Sequence, residues 1–169
     1  MSDDGRTGEG SITVQAAAPA VWALVTDITR MGEWSPENER GEWIDGATGP
    51  AVGARFKGYN RRGKSKWSTT CEVTEAEPGR SFVFVTGGRA KPGTWWRYRF
   101  EAVAGGTLVT ESFEMTKPLG RFERLVTKVT TGVSDRRADM EQGVNATLAA
   151  LKKAAEQGGD HGSAGRSPS

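Results

Sequence analysis

The chain has 169 residues, 36% of them hydrophobic and 26% charged, with a formal net charge of +2. That is length enough for one core burying roughly 70% of the unfolded surface, and a balance too near neutrality for whole-molecule attraction to nucleic acid. One cysteine, Cys71, and one histidine, His161, exclude an internal disulfide and leave almost nothing for zinc sites or Ser/His/Asp and Cys/His catalysis, so neither metal nor cofactor is expected.

Both ends, 1–10 and 158–169, are Gly, Ser and Asp rich and are expected to be disordered, leaving one domain over 11–157. The acidic start MSDDGRTGEG has no apolar region, and no run of about 18 apolar residues follows. Neither a secretion signal nor a membrane anchor is therefore expected, and the expected location is cytoplasmic. SITVQ, from Ser11, alternates as a strand. AAPAVWALVTDI places Pro19 at a helix start, with Val21, Trp22, Leu24, Val25 and Ile28 at helical spacing. A second short helical turn is expected near Met31–Trp34, stopped by Pro36. From Gly41 to Met115 the apolar residues recur every second position between turns: GEWID, ARFKGYNRR, SKWSTTCEVTEAE, RSFVFVTG, TWWRYRFEAV and TLVTESFEM. With the first strand this predicts seven antiparallel strands. Helical spacing returns from Leu119 to Val133 and from Met140 to Leu151, with a break expected in TTGVSD and Ser134 or Asp135 as N-cap of a final helix to about Glu156. One long helix on one face of a twisted sheet defines an α+β domain, with a gap where strands and helix part.

The pieces ITVQAAAPAVWALVTDITRMGEW, GATGPAVGARFKGYNRRG, EVTEAEPGRSFVF and WWRYRFEAVAGGTLVTESFEM resemble the START-like polyketide cyclase/dehydrase and lipid-transport superfamily, also called SRPBCC. The resemblance spans about residues 9–157. It implies the helix-grip, birch-allergen-like fold: a curved seven-stranded antiparallel sheet gripping a long C-terminal helix, with two short helices between strands one and two. Members include hydrophobic-ligand carriers, aromatic polyketide cyclases, plant hormone receptors and chaperone activators, so the function must be read from the site.

Charged neighbours phase the strands. Arg97, Arg99 and Glu101 point to water, which turns Trp96, Tyr98 and Phe100 inward; the same test turns Trp67, Thr69, Cys71 and Val73 inward, and Phe56, Gly58 and Asn60 with them. Phe82 and Phe84 are read as inward although SFVFV has no charge to fix its phase. If Val109, Phe113 and Met115 face the core, Glu111 shares their side, and a carboxyl looks into an aromatic pocket. Burial without a cation raises its pKa, and Tyr98, Asn60 and Thr69 are the polar groups near enough to partner it. The expected ligand contacts are thus Trp34, Phe56, Asn60, Trp67, Thr69, Cys71, Phe82, Phe84, Trp96, Tyr98, Glu111 and Phe113. Trp34 reads either as a gate at the cavity mouth, its place in the resembled fold, or as a clamp closing a loop on the core. Cys71 reads as a small buried hydrophobe.

Three functions fit these residues: binding or transport of a small hydrophobic lipid, polyketide or aromatic ligand; cyclase, aromatase or dehydratase chemistry with Glu111 and Tyr98 moving protons; or a protein-interaction module using outer charged patches. The basic run ARFKGYNRRGKSK and the acidic run EWSPENERGEWID form two patches of opposite sign, and nucleic acid is not the expected partner. RFERLVTKVTTGVSDRR is basic beside Leu and Val, a pattern suited to transient contact with an anionic membrane or to a lid helix with a solvated side. Ligand identity and oligomeric state are left open.

Overall fold

A computed structural model of the chain describes residues 6–116 and 136–160. The expected helical run over Leu119–Val133, its break, the Ser134 or Asp135 cap and the segment read as membrane-facing lie outside the described residues.

Strand β1 (Thr7–Val14) leads into α1 (Ala18–Thr26), a short 3-10 helix (Ile28–Glu33), and then β2 (Asn38–Ile44), β3 (Arg55–Arg62), β4 (Ser65–Glu77), β5 (Ser81–Thr86), β6 (Thr94–Val103), β7 (Gly106–Met115) and α2 (Arg136–Asp160). The strands form one seven-stranded sheet in the order β1-β7-β6-β5-β4-β3-β2, every pair antiparallel. This is the α+β helix-grip architecture. Five successive antiparallel connections build the sheet from β2 to β7, and β1 closes it by pairing with the last strand. A register shift between Val73 and Glu75 interrupts the β4–β5 ladder, and bulges of this kind bend a long strand and increase its twist.

Three boundaries depart from expectation. The first strand begins at Thr7, ahead of Ser11, because Gly8 and Gly10 are contact points: a Cβ at Gly8 would crowd the Phe113 ring and Glu141, and one at Gly10 would crowd Val144 and Asn145. Glycines that read as an unstructured end are the places where β1 lets β7 and α2 come close. Strand β2 begins at Asn38, ahead of Gly41, because Asn38 pairs with Asn60. At the other end α2 continues to Asp160, so residues 158–160 belong to the helix.

Helix α2 buries Met140, Val144, Leu148, Leu151 and Ala155, a spacing of three or four that forms one apolar stripe. Truncating Leu148 or Leu151 to Ala would cost about 2–5 kcal/mol. Polar ties lay the helix along the β1 edge. Arg137 Nε donates to the Thr7 carbonyl at 2.9 Å, Lys152 Nζ to the Thr13 carbonyl at 3.0 Å, and the Gln15 N–H to Glu156 Oε1 at 2.9 Å. An edge strand covered in this way is closed to pairing with another chain. Because α2 leans on β1, the concave face of β3 to β6 is left partly unfilled.

The opposite edge is held by backbone contact. A Cβ at Gly41 would overlap the Ile28 carbonyl and one at Gly32 the Glu39 carbonyl, so these two glycines let the 3-10 helix lie directly on β2. The two charged runs also meet here. Arg55 pairs with Asp45 at 2.6 Å, Arg61 with Glu39 at 3.6 Å and Arg62 with Glu37 at 2.8 Å, while Tyr59 donates to Glu42 at 3.0 Å. The two runs of opposite sign thus pair with each other across neighbouring segments.

Candidate functional site

Between the concave face and α2 lies a cavity of about 1240 Å³, above the roughly 300–1,000 Å³ common for small-molecule sites. Its walls follow the pleat. Strand β3 presents Phe56, Gly58 and Asn60; β4 presents Trp67, Thr69 and Cys71; β5 presents Phe84; β6 presents Trp96 and Tyr98; β7 presents Glu111. Trp34 closes the side next to the 3-10 helix: it lines the cavity and is also packed into the core at 6% exposure, with the Arg30 guanidinium 5.5 Å from its ring. Phe56 and Phe84 meet edge to face at 5.1 Å, a favourable aromatic geometry.

Two expected contacts do not reach the cavity. Phe82, fully buried, sits opposite Tyr98 in the β5–β6 register and packs against Phe84 with centroids 5.6 Å apart, but is not among the residues lining the cavity. Phe113 lies where β7 meets Gly8 of β1 and Glu141 of α2, and there the helix itself fills the space. Both face inward as the alternation requires; what differs is the layer above them.

Tyr98 and Glu111 are register partners on β6 and β7, which brings their side chains together on the inner face. The Tyr98 hydroxyl donates to Glu111 Oε1 at 2.7 Å. Glu111 is only 3% exposed, and its Oε2 has no hydrogen-bond partner. Burial pushes the Glu111 carboxyl up to about 8, against a smaller opposing effect of the Tyr98 hydrogen bond. The Tyr98 phenol is held well above its ordinary value by burial first, and then by the neighbouring Glu111. At neutral pH the pair is therefore a neutral acid beside a neutral phenol. Cys71 is a buried free thiol pushed up to about 12 by desolvation, which makes it a poor nucleophile.

Asn60 and Thr69 do not reach Glu111; they belong to a second polar group. Asn38 Nδ2 donates to Asn60 Oδ1 at 3.2 Å, and Asn60 Nδ2 to Thr69 Oγ1 at 3.4 Å, a line crossing β2, β3 and β4. Asn38 Oδ1 is buried without a partner. Where β3 ends, Arg62 bridges Glu37 at 2.8 Å and Asp139 of α2, tying the sheet's far side to the helix across the cavity. Asp139, through this hydrogen bond, is the main cause that raises the Arg62 guanidinium pKa.

Sequence reasoning missed Met31, Asn38, Lys91 and Pro92 of the β5–β6 loop, Thr116, and the α2 residues Asp139, Met140, Gly143, Val144 and Thr147. The helical period did single out Met140 and Val144 as buried, but it does not say which buried residues meet strands and which meet open space. Among the described residues no group of three or more His, Cys, Asp or Glu could hold a metal ion, and no helix is long and apolar enough to cross a membrane.

None of the curated proteins matches the sequence. Among solved structures, a polyketide-cyclase-like protein of Corynebacterium glutamicum is 36% identical with a TM-score of 0.63, covering 95% of this chain and 97% of its own. An AHSA1-like protein of Aeromonas hydrophila is 20% identical with a TM-score of 0.61, covering 90% and 94%. The di-domain ARO/CYC StfQ from the steffimycin biosynthetic pathway is 15% identical with a TM-score of 0.71; the match covers 91% of this chain and 51% of StfQ. The last two are likenesses of fold. The family model described as "Polyketide cyclase / dehydrase and lipid transport" matches residues 6–156, and the chain belongs to this family of the SRPBCC superfamily.

Proposed function

We propose that the protein binds a small hydrophobic or aromatic molecule between its sheet and α2. The observation that carries this reading is the cavity: about 1240 Å³ walled by Trp34, Phe56, Trp67, Phe84 and Trp96, with one carboxyl–phenol pair among them. Apolar walls supply affinity in proportion to the area they remove from water, and a few polar groups set orientation. Three tryptophans on the wall make the site its own reporter. Native mass spectrometry of gently purified protein is expected to show an adduct of a few hundred daltons, and adding an apolar aromatic compound is expected to quench tryptophan emission saturably. Emission unchanged across a broad panel of lipids and aromatics would end this reading.

A second reading, proton transfer on a ketone or enol, is favoured by the Tyr98–Glu111 pair. A carboxyl near 8 is tuned for general acid–base work at neutral pH, and Oε2 is the oxygen that would face the substrate. Under this reading Glu111→Gln binds the retained molecule but no longer converts it. Binding without turnover by the unaltered protein leaves the first reading alone.

A further inference from the structure

The buried side-chain oxygens without partners among the described residues are Asn38 Oδ1, Glu111 Oε2 and Thr116 Oγ1, and each belongs to a residue lining the cavity. Unsatisfied buried polar atoms cost about 1–3 kcal/mol apiece, and these stand at both sides of the cavity, Glu111 and Thr116 at the β7 side and Asn38 at the β2 side, where a bound molecule can supply the missing hydrogen bonds. Glu111 has the most restricted surroundings. Tyr98 occupies Oε1 from β6, and Gly10 stands opposite on β1 with no side chain. The α2 residues on the cavity beyond Asp139 carry no charge. The charged lining residues are elsewhere: Arg62 is joined to Glu37 and Asp139, Arg61 to Glu39, and Lys91 lies exposed on the β5–β6 loop. Among the described residues no cation in this wall is hydrogen-bonded or ion-paired to Glu111.

We propose that the cavity selects an uncharged ligand that brings a hydrogen-bond acceptor, a carbonyl or ether oxygen, to Glu111 Oε2, and that it turns away carboxylates such as fatty acids. This rests on the binding reading above and adds the ligand's charge and polar group to it. Glu111 acts as the donor because burial keeps it protonated at neutral pH. A purely apolar ligand would leave Oε2 buried and unsatisfied. A ligand anion would lose its hydration and meet a second carboxyl, with no cation among the described residues at Glu111 to offset either cost.

Calorimetric titration at pH 7 with three probes on one anthracene frame tests this: a methyl ketone, the matching ethyl hydrocarbon and the matching carboxylate. The ketone is expected to bind about tenfold more tightly than either of the others, one good hydrogen bond's worth. In Glu111→Leu the preference for ketone over hydrocarbon is expected to vanish. In Glu111→Gln, whose amide still donates, it is expected to persist. Equal affinity of ketone and hydrocarbon for the unaltered protein would overturn the inference while leaving the binding reading intact, and so would a carboxylate that binds best. Failure of all three probes, with no retained adduct in native mass spectrometry, would overturn both.

Discussion

Glu111 sets a stability cost as well as a chemistry. Its carboxyl has a pKa of about 8 in the fold against an ordinary value of 4.5. Between those values the folded protein holds a proton that the unfolded chain has released, so stability is fullest below the unfolded value and falls as pH rises toward 8. The slope approaches about 1.4 kcal/mol per pH unit inside that window. Glutamine keeps the shape and still accepts from Tyr98 but cannot ionise. Glu111→Gln is therefore expected to leave the melting temperature little changed near pH 4 and to raise it increasingly from pH 5 to 8. Parallel melting curves for the two proteins across that range would contradict the burial argument. The inward side of this residue was legible in the sequence once Val109, Phe113 and Met115 were taken to face the core, since alternation puts Glu111 with them. The orphaned Oε2 was not, because it depends on Gly10 and α2, which no local pattern connects to β7. Phe82 and Phe113 show the same limit: alternation gives the direction of a side chain but not the layer that meets it.

At the scale of elements, the hairpins of β3 to β7 were legible almost to the residue because glycine turns and charge alternation agree. Strand β5 resisted phasing because Val83 and Val85 on its outer face are buried as completely as Phe82 and Phe84 on its inner face. The clasp between β3 and α2 escaped notice because Arg62 and Asp139 are far apart in sequence. Helix α2 lies along β1 at one side, while on the other Arg62 reaches across to both Glu37 and Asp139. All three side chains are partly exposed, and exposed pairs contribute only about 0.2–1 kcal/mol, so the clasp acts locally. Asp139→Asn is expected to lower global stability by no more than about 1 kcal/mol. Amides in the first turns of α2 should nonetheless exchange faster with deuterium, since local opening no longer breaks a forked ion pair. Exchange unchanged at the helix start, with the loss spread evenly through the sheet, would show that Arg62 stabilises the fold generally and does not pin the helix.

For the whole molecule, one packing choice produces the cavity. A helix centred on a curved sheet would fill it; α2 is instead drawn to β1 by glycines at positions 8 and 10 and by polar ties along the edge. The interior thus trades some packing for space, and the trade is reversible by a substitution that fills it. Cys71 is the place to do so: buried, on the interior strand β4 between β5 and β3, lining the cavity, opposite Phe56 in register, with a thiol that makes a long 4.0 Å contact to the Thr69 carbonyl. In a filled core, Cys71→Phe would force neighbours off their rotamers and cost about 1–3 kcal/mol. In a hollow one the added ring gains dispersion contacts with Phe56 and Phe84 and removes apolar area from water, as cavity-filling substitutions do. The expected outcome is a melting temperature equal to or a few degrees above that of the unaltered protein, together with affinity for the anthracene ketone reduced at least about tenfold. Stability and binding moving in opposite directions is the signature of space kept open for a ligand; a loss of both would mean that the wall at Cys71 is already filled.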